Sequence, residues 1–151
     1  MTLSASEMTA WILALFASDR MDVALFTSAF VSATLAPGGS EMLFAGSVAA
    51  TPERVLWLLA VASAGNTLGA MTSWAIGRFL PSTKKSSRAL DFVRRWGAWA
   101  LLLSWLPVVG DALPLAAGWL RIGAAPSLVA IAAGKLLRYL ALAMMVIPAV
   151  T

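Results

Sequence analysis

The sequence predicts an all-α membrane protein: an inverted repeat of a re-entrant helical hairpin plus a transmembrane helix, preceded by an N-terminal interfacial helix. Three observations predict it. The chain is 60% hydrophobic and only 12% charged, with a mean hydropathy of +0.85, whereas a soluble domain carries about a quarter charged residues. Its apolar runs alternate between stretches long enough to cross a bilayer and shorter ones broken by Pro and Gly. The broken runs occur twice, with the same internal order. The 151 residues read as one membrane domain, divided into residues 1–21, 22–80, 81–95 and 96–151.

The first segment sets Met8, Trp11, Ile12, Leu15 and Phe16 at helical spacing on one face. Its apolar run falls well short of the ~20 residues of a spanning helix, so an interfacial helix is expected over residues 1–21. Glu7 precedes the run and no Lys or Arg comes before Arg20, so no removable signal peptide is expected. Residues 23–50 are apolar on both sides of Leu35-Ala36-Pro37-Gly38-Gly39-Ser40-Glu41. Pro and paired Gly stop a helix there, which predicts two half-helices joined by a turn.

Val55–Phe79 is the clearest span, with no charge before Arg78 and enough length to cross with some tilt. Thr51 is the expected cap and Pro52 sits in the first turn. Gly65 and Gly69 form a small-xxx-small pair with the polar Asn66 between them. Residues 81–95 carry Lys84, Lys85, Arg88, Arg94 and Arg95 against Asp91, a basic loop that the positive-inside rule makes cytoplasmic. The net charge of +4 comes largely from this loop, and is an orientation signal, not a nucleic-acid surface. Beyond it an apolar run reaches Leu106, breaks at Pro107-Val108-Val109-Gly110-Asp111, and resumes from Ala112 to Leu120. Pro126 opens the last apolar segment, which carries Lys135 and Arg138 well inside it. Trp57, Trp74, Trp96 and Trp119 are expected at the membrane interfaces.

The repeat is legible in the two breaks. Pro37 and Pro107 are each followed four positions later by a carboxylate, Glu41 and Asp111, then by Ala45-Gly46 and Ala117-Gly118, then by a span. One span per copy turns the second copy upside down. The two hairpin tips would then meet near mid-membrane, as in transporters built from inverted repeats and broken helices.

Charged residues at that depth need protonation, pairing or water, at ~3 kcal/mol each on insertion scales. Glu41 and Asp111 are candidates for a proton relay or coupling site, or for simple capping of the half-helices that begin there. Lys135 and Arg138, three apart on one helical face, are candidates to pair with them or to hold a substrate phosphate, against a structural salt bridge or snorkelling. Arg78 is an interfacial anchor or a guide for anionic headgroups; Asn66 is interhelical glue or a site-lining group. Gly38, Gly39 and Gly110 could cradle an anion at half-helix N-termini or merely make turns. Cys and His are absent, which removes disulfides, thiolate or imidazole metal sites and Cys–His or Ser–His catalysis. No catalytic residue, cofactor or metal is expected.

These residues resemble a known family. Pro37-Gly38-Gly39-Ser40-Glu41 with Ala45-Gly46 resembles the first signature of DedA-type membrane proteins. Gly65-Asn66-Thr67-Leu68-Gly69 with Ile76-Gly77-Arg78 is similar to their next segment, and Trp96-Gly97, Pro107 and Ala117-Gly118 to a later block. Leu106 to Asp111 together with Gly134-Lys135-Leu136-Leu137-Arg138-Tyr139 looks closest to the YqaA-like branch. The resemblance implies an inner-membrane fold with two opposed re-entrant hairpins, and proton-linked flipping of polyprenyl phosphate or phospholipid. The family's glutamate near the first turn corresponds to Glu41. Its two arginines flanking the second Pro turn correspond to Trp105 and Asp111, so neither cation is carried over and one charge is reversed.

The function expected is therefore a secondary transporter or flippase of a lipid or lipid-linked anion in a bacterial-type inner membrane, with protons as the coupling ion. A membrane scaffold or assembly partner in envelope homeostasis is the alternative, and a lipid-phosphate enzyme a weaker one, lacking His, Cys and a paired-carboxylate metal motif. A homodimer would help enclose the polar hairpin tips, with Gly65 and Gly69 as its contact. No nucleic-acid partner is expected.

Overall fold

The computed structural model describes residues 19–34, 39–81, 86–107 and 109–150. The interfacial helix expected over residues 1–21 lies outside them up to residue 18, as do Gly38, Lys84 and Lys85. The described residues are helical, without strands: α1 (Asp19–Thr34), α2 (Gly39–Ala50), α3 (Val55–Phe79), α4 (Arg88–Trp96), α5 (Val109–Trp119) and α6 (Ala124–Val150), with 3-10 turns at Pro52–Arg54 and Gly97–Trp105.

Two helices are long and apolar enough to cross a membrane, Pro52–Phe79 with its opening 3-10 turn and Ala124–Val150. At ~1.5 Å per residue both exceed the ~30 Å of a hydrocarbon core. Among the described residues α1, α2 and α5 cover 16, 12 and 11 residues, each less than the ~20 of a span. α3 and α6 run antiparallel: Leu58 and Ala62 share a cluster with Tyr139 and Ala143, while Ala70 packs with Ala130 and Ile131.

The short helices are distributed between these two by an exchange. α1 lies along α3 in the same direction and the 3-10 segment Gly97–Trp105 lies along α6, whereas α2 packs on α6 and α5 packs on α3. Glycines make each approach close. A Cβ on Gly65 would meet the Phe26 carbonyl oxygen at 2.5 Å, and one on Gly134 the Leu102 carbonyl oxygen at 2.9 Å. Gly77 and Gly118 likewise face the backbones of Leu115 and Trp74. Ser73 Oγ donates to the Ala33 carbonyl (3.3 Å) and Ser104 Oγ to the Ile131 carbonyl (3.4 Å), tying α1 to α3 and the 3-10 segment to α6.

Four local expectations are corrected. Gly65 and Gly69 are not open to a second copy, because α1 of the same chain sits on both. Thr51 makes no side-chain cap; its hydroxyl donates back to the Ser47 carbonyl at 3.0 Å and closes α2 instead. The basic segment 81–95 is not an open loop throughout. Arg88–Trp96 is helical, capped by Ser87, whose side chain accepts from the Leu90 N–H at 3.3 Å, with Leu90 and Val93 buried beneath the charges. The second break is also shorter than expected, since α5 already starts at Val109 and takes in Gly110 and Asp111.

The run before that break is a 3-10 helix of nine residues, longer than most. Three residues per turn eclipse side chains at i and i+3, and the burial follows that period. Leu101 and Ser104 are buried against α6, while Trp99 and Trp105 are exposed on another edge. Gly97 joins it to α4 at φ 59°, ψ −140°. After α5 the chain reverses through Arg121 at φ 61°, with Ile122 N–H to the Ala117 carbonyl (3.0 Å) and Arg121 N–H to the Gly118 carbonyl (3.0 Å), the Schellman pattern.

Candidate functional site

Thr67 and Leu137 are the middle residues of α3 and α6, and the polar centre of the molecule lies beside them. Lys135 and Arg138 project from α6. Glu41 and Asp111 come from the first turns of α2 and α5, where the positive end of each short helix favours a carboxylate. Lys135 Nζ meets Asp111 Oδ1 at 2.5 Å. Arg138 pairs with Glu41 and reaches Asp111 Oδ2 at 3.8 Å. One α6 guanidinium thus touches both α2 and α5.

Burial gives these contacts weight. Lys135 is wholly buried and Arg138 is 7% exposed. An ammonium so placed persists only with a partner, because an isolated charge in a low-dielectric interior is far too costly. Two cations face two carboxylates, so the cluster sums to zero.

An uncharged polar chain extends the cluster toward α3. Tyr139 Oη donates to Ser40 Oγ at 2.9 Å and accepts from Asn66 Nδ2 at 3.0 Å, all three buried. The Tyr139 ring is held edge-on by Phe44, centroid to centroid 5.0 Å. Glu41 and Arg138, together with Trp105, Pro107, Ala141, Leu142 and Met145, line a cavity of about 290 Å³. Trp105, Pro107, Ala141 and Met145 are exposed, so the cavity opens sideways onto an apolar surface.

The structure therefore brings together Glu41, Asp111, Lys135 and Arg138, with Asn66 one residue away through Tyr139. It does not bring the other candidates there. Gly39 opens α2 facing open space and Gly110 serves a close approach to the Ser104 backbone. Arg78 lies near the far end of α3, its guanidinium 5.2 Å from the Trp74 ring centroid. Gly38 lies outside the described residues. The sequence reasoning missed Ser40 and Tyr139. The signal was there for Tyr139: it is the chain's one tyrosine, and a phenol in an apolar run needs a partner for its hydroxyl.

The chain is 44% identical to the inner membrane protein YqaA of Escherichia coli over 122 residues, 79% of this chain and 86% of that protein. The same figures hold for the Shigella flexneri inner membrane protein YqaA. A Haemophilus influenzae protein is 45% identical over 131 residues, 78% of this chain and 82% of its own. No protein-family model matches the chain, and no solved structure matches it. With likeness of this extent, two long apolar helices and signature residues gathered at one polar centre, the chain belongs to the YqaA-like branch of the DedA family of inner-membrane proteins.

Proposed function

We propose that the protein is a multi-pass secondary transporter or flippase that moves a lipid or lipid-linked anion, of the polyprenyl phosphate or phospholipid class, across the inner membrane. The observation that carries this reading is the mutual pairing of Glu41, Asp111, Lys135 and Arg138 at the middle of two membrane-length helices, beside a laterally open cavity. Charged groups at mid-bilayer are costly and mark substrate or ion pathways.

In this reading α1–α2 and the 3-10 segment with α5 are re-entrant hairpins, and each with its long helix forms one half of an inverted repeat. The exchange of second limbs between the long helices supports it. So does the equivalent placing of Glu41 and Asp111 in the first turn of each second limb. The basic segment 81–95 is cytoplasmic, so the first hairpin enters from outside and the second from inside.

The chemistry follows from the charge count. A proton on Glu41 releases Arg138 and leaves the cluster at +1, the charge that neutralises a phosphate diester. The headgroup enters through the side opening while its tails remain in lipid, and so avoids bare hydrocarbon. Proton loss restores the Glu41–Arg138 pair and expels the headgroup. The test is movement of fluorescent phospholipid and radiolabelled polyprenyl phosphate in reconstituted vesicles, with and without a pH gradient. The wild-type chain accelerates movement over protein-free vesicles. Glu41→Gln, which leaves the Lys135–Asp111 pair in place, abolishes it while the helical circular dichroism is unchanged. Undiminished movement in the Glu41→Gln protein rejects the mechanism.

A further inference from the structure

We propose that the start of α6 is a second, separate site, built from donors alone, which takes a phosphate group. The charged cluster is no part of it: Arg138 lies well beyond Ala124 on α6, about 21 Å along the helix axis. Gly123 occupies the cap position, since its carbonyl accepts the Ser127 N–H at 3.2 Å. It has no side chain to satisfy the N–H groups of Ala124 and Ala125, and both residues are exposed. These N–H groups form the positive end of a 27-residue helix, the setting in which helices hold phosphates.

Two further donors stand unmet at this end. Ser127 is wholly buried, and its hydroxyl has no partner among the described residues. The Cα–Cβ bond of a helical residue tilts toward the helix start, so this hydroxyl is aimed back into the first turn. Arg78 Nη1 is buried and likewise unpartnered among the described residues. Trp74 ties the two sides together. Its indole N–H donates to the Ile122 carbonyl at 3.2 Å, and its ring face carries the Arg78 guanidinium, 5.2 Å from the centroid. The junction is tightly packed, because a Cβ on Gly118 would stand 3.0 Å from the Arg78 N and closer still to the Trp74 carbonyl. Arg121, exposed just before α6, adds a second guanidinium. The chain has no Asp or Glu between Glu53 and Asp91, and none after Asp111, so neither arginine has a carboxylate nearby in its own segment. Backbone N–H groups, a hydroxyl and guanidinium forks suit the several acceptor oxygens of a phosphate. Trp74 and Trp119 suit this end to a membrane interface, where a phosphate belongs either to a lipid or to a free ion; the donors meet the same chemistry in both.

Thermal unfolding of the full chain in maltoside micelles and phosphate-free buffer tests the site. Inorganic phosphate is the probe in one titration, and phosphatidic acid mixed into the micelles in the other. The expected result is saturable stabilisation by at least one of them, phosphate alone identifying a soluble ion and phosphatidic acid alone a membrane lipid. Diacylglycerol, which lacks the phosphate, gives none. Arg78→Gln and Ser127→Ala each weaken the apparent affinity about tenfold or more, as expected for one lost hydrogen bond to a charged group. Ser127→Ala also controls for folding: without phosphate its unfolding midpoint stays at or above the wild-type value, because the lost hydroxyl had no protein partner. No saturable stabilisation by either probe, equal stabilisation by diacylglycerol, or an affinity that survives both substitutions overturns the inference. None of these readouts involves lipid movement, so the outcome is independent of the transport reading.

Discussion

Lys135 shows what one side chain does to the centre of this protein. Its ammonium is wholly buried and its stability rests on Asp111. Removing one partner of such a pair strands a charge, at about 3–5 kcal/mol, whereas removing both is close to neutral. Asp111→Asn is therefore expected to destabilise the chain by that order in detergent unfolding, and Lys135→Met added to it to recover most of the loss. Additive losses in that double-mutant cycle would show that the two groups are not coupled. Tyr139→Phe keeps the ring against Phe44 but removes a hydroxyl bonded to Ser40 and Asn66. Its expected loss is about 1 kcal/mol in the same assay.

At the scale of the elements, backbone approach is the controlling feature. Gly69 leaves no room for a Cβ, which would fall 2.9 Å from the Ala33 Cβ and closer still to the Phe30 carbonyl oxygen. Gly69→Val is expected to push α1 off α3 and lower stability by about 1–3 kcal/mol or more, read as an earlier unfolding midpoint. Gly97 acts differently, through conformation: its φ of 59° with ψ of −140° belongs to glycine, and nothing lies within 4 Å of an added Cβ. Gly97→Ala is expected to cost about 1–3 kcal/mol by strain alone, with no change at the charged cluster. The apolar run that follows, up to Leu106 in the sequence, is a 3-10 helix over Gly97–Trp105. At ~2.0 Å per residue its nine residues reach ~18 Å, against ~13.5 Å for α-helix. A short sequence thus carries Trp105 and Pro107 to the depth of Arg138.

Over the whole molecule, the two long helices hold a neutral, paired cluster at mid-length and leave aromatic residues toward the ends. Trp57 donates to Asp22 at 2.8 Å near the start of α3. Trp74 and Trp119 donate to the carbonyls of Ile122 (3.2 Å) and Pro81 (3.0 Å) at the other end. Those two ends define the orientation that the proposed topology requires. The chain has no cysteine, so single cysteines report it cleanly. Ser86→Cys is expected to react with an impermeant maleimide only from the cytoplasmic side of the membrane, and Glu53→Cys only from the opposite side. Labelling of both from one side would contradict a span between them.

How the chain divides into long apolar helices and broken ones was legible residue by residue, because periodicity, Pro and Gly act locally. The same holds for the pairing of Pro37 with Glu41 and of Pro107 with Asp111, and for Lys135 and Arg138 sharing a face. Those features also bring into view the family resemblance. Who pairs with whom was settled only by tertiary structure. Lys135 finds Asp111 across 24 positions and Tyr139 finds Ser40 across 99, and no local pattern encodes the depth and azimuth at which two helices meet. For the same reason Gly65 and Gly69 looked like a surface for a second copy until α1 occupied them. A small-residue stripe specifies close packing, and only the fold specifies the partner.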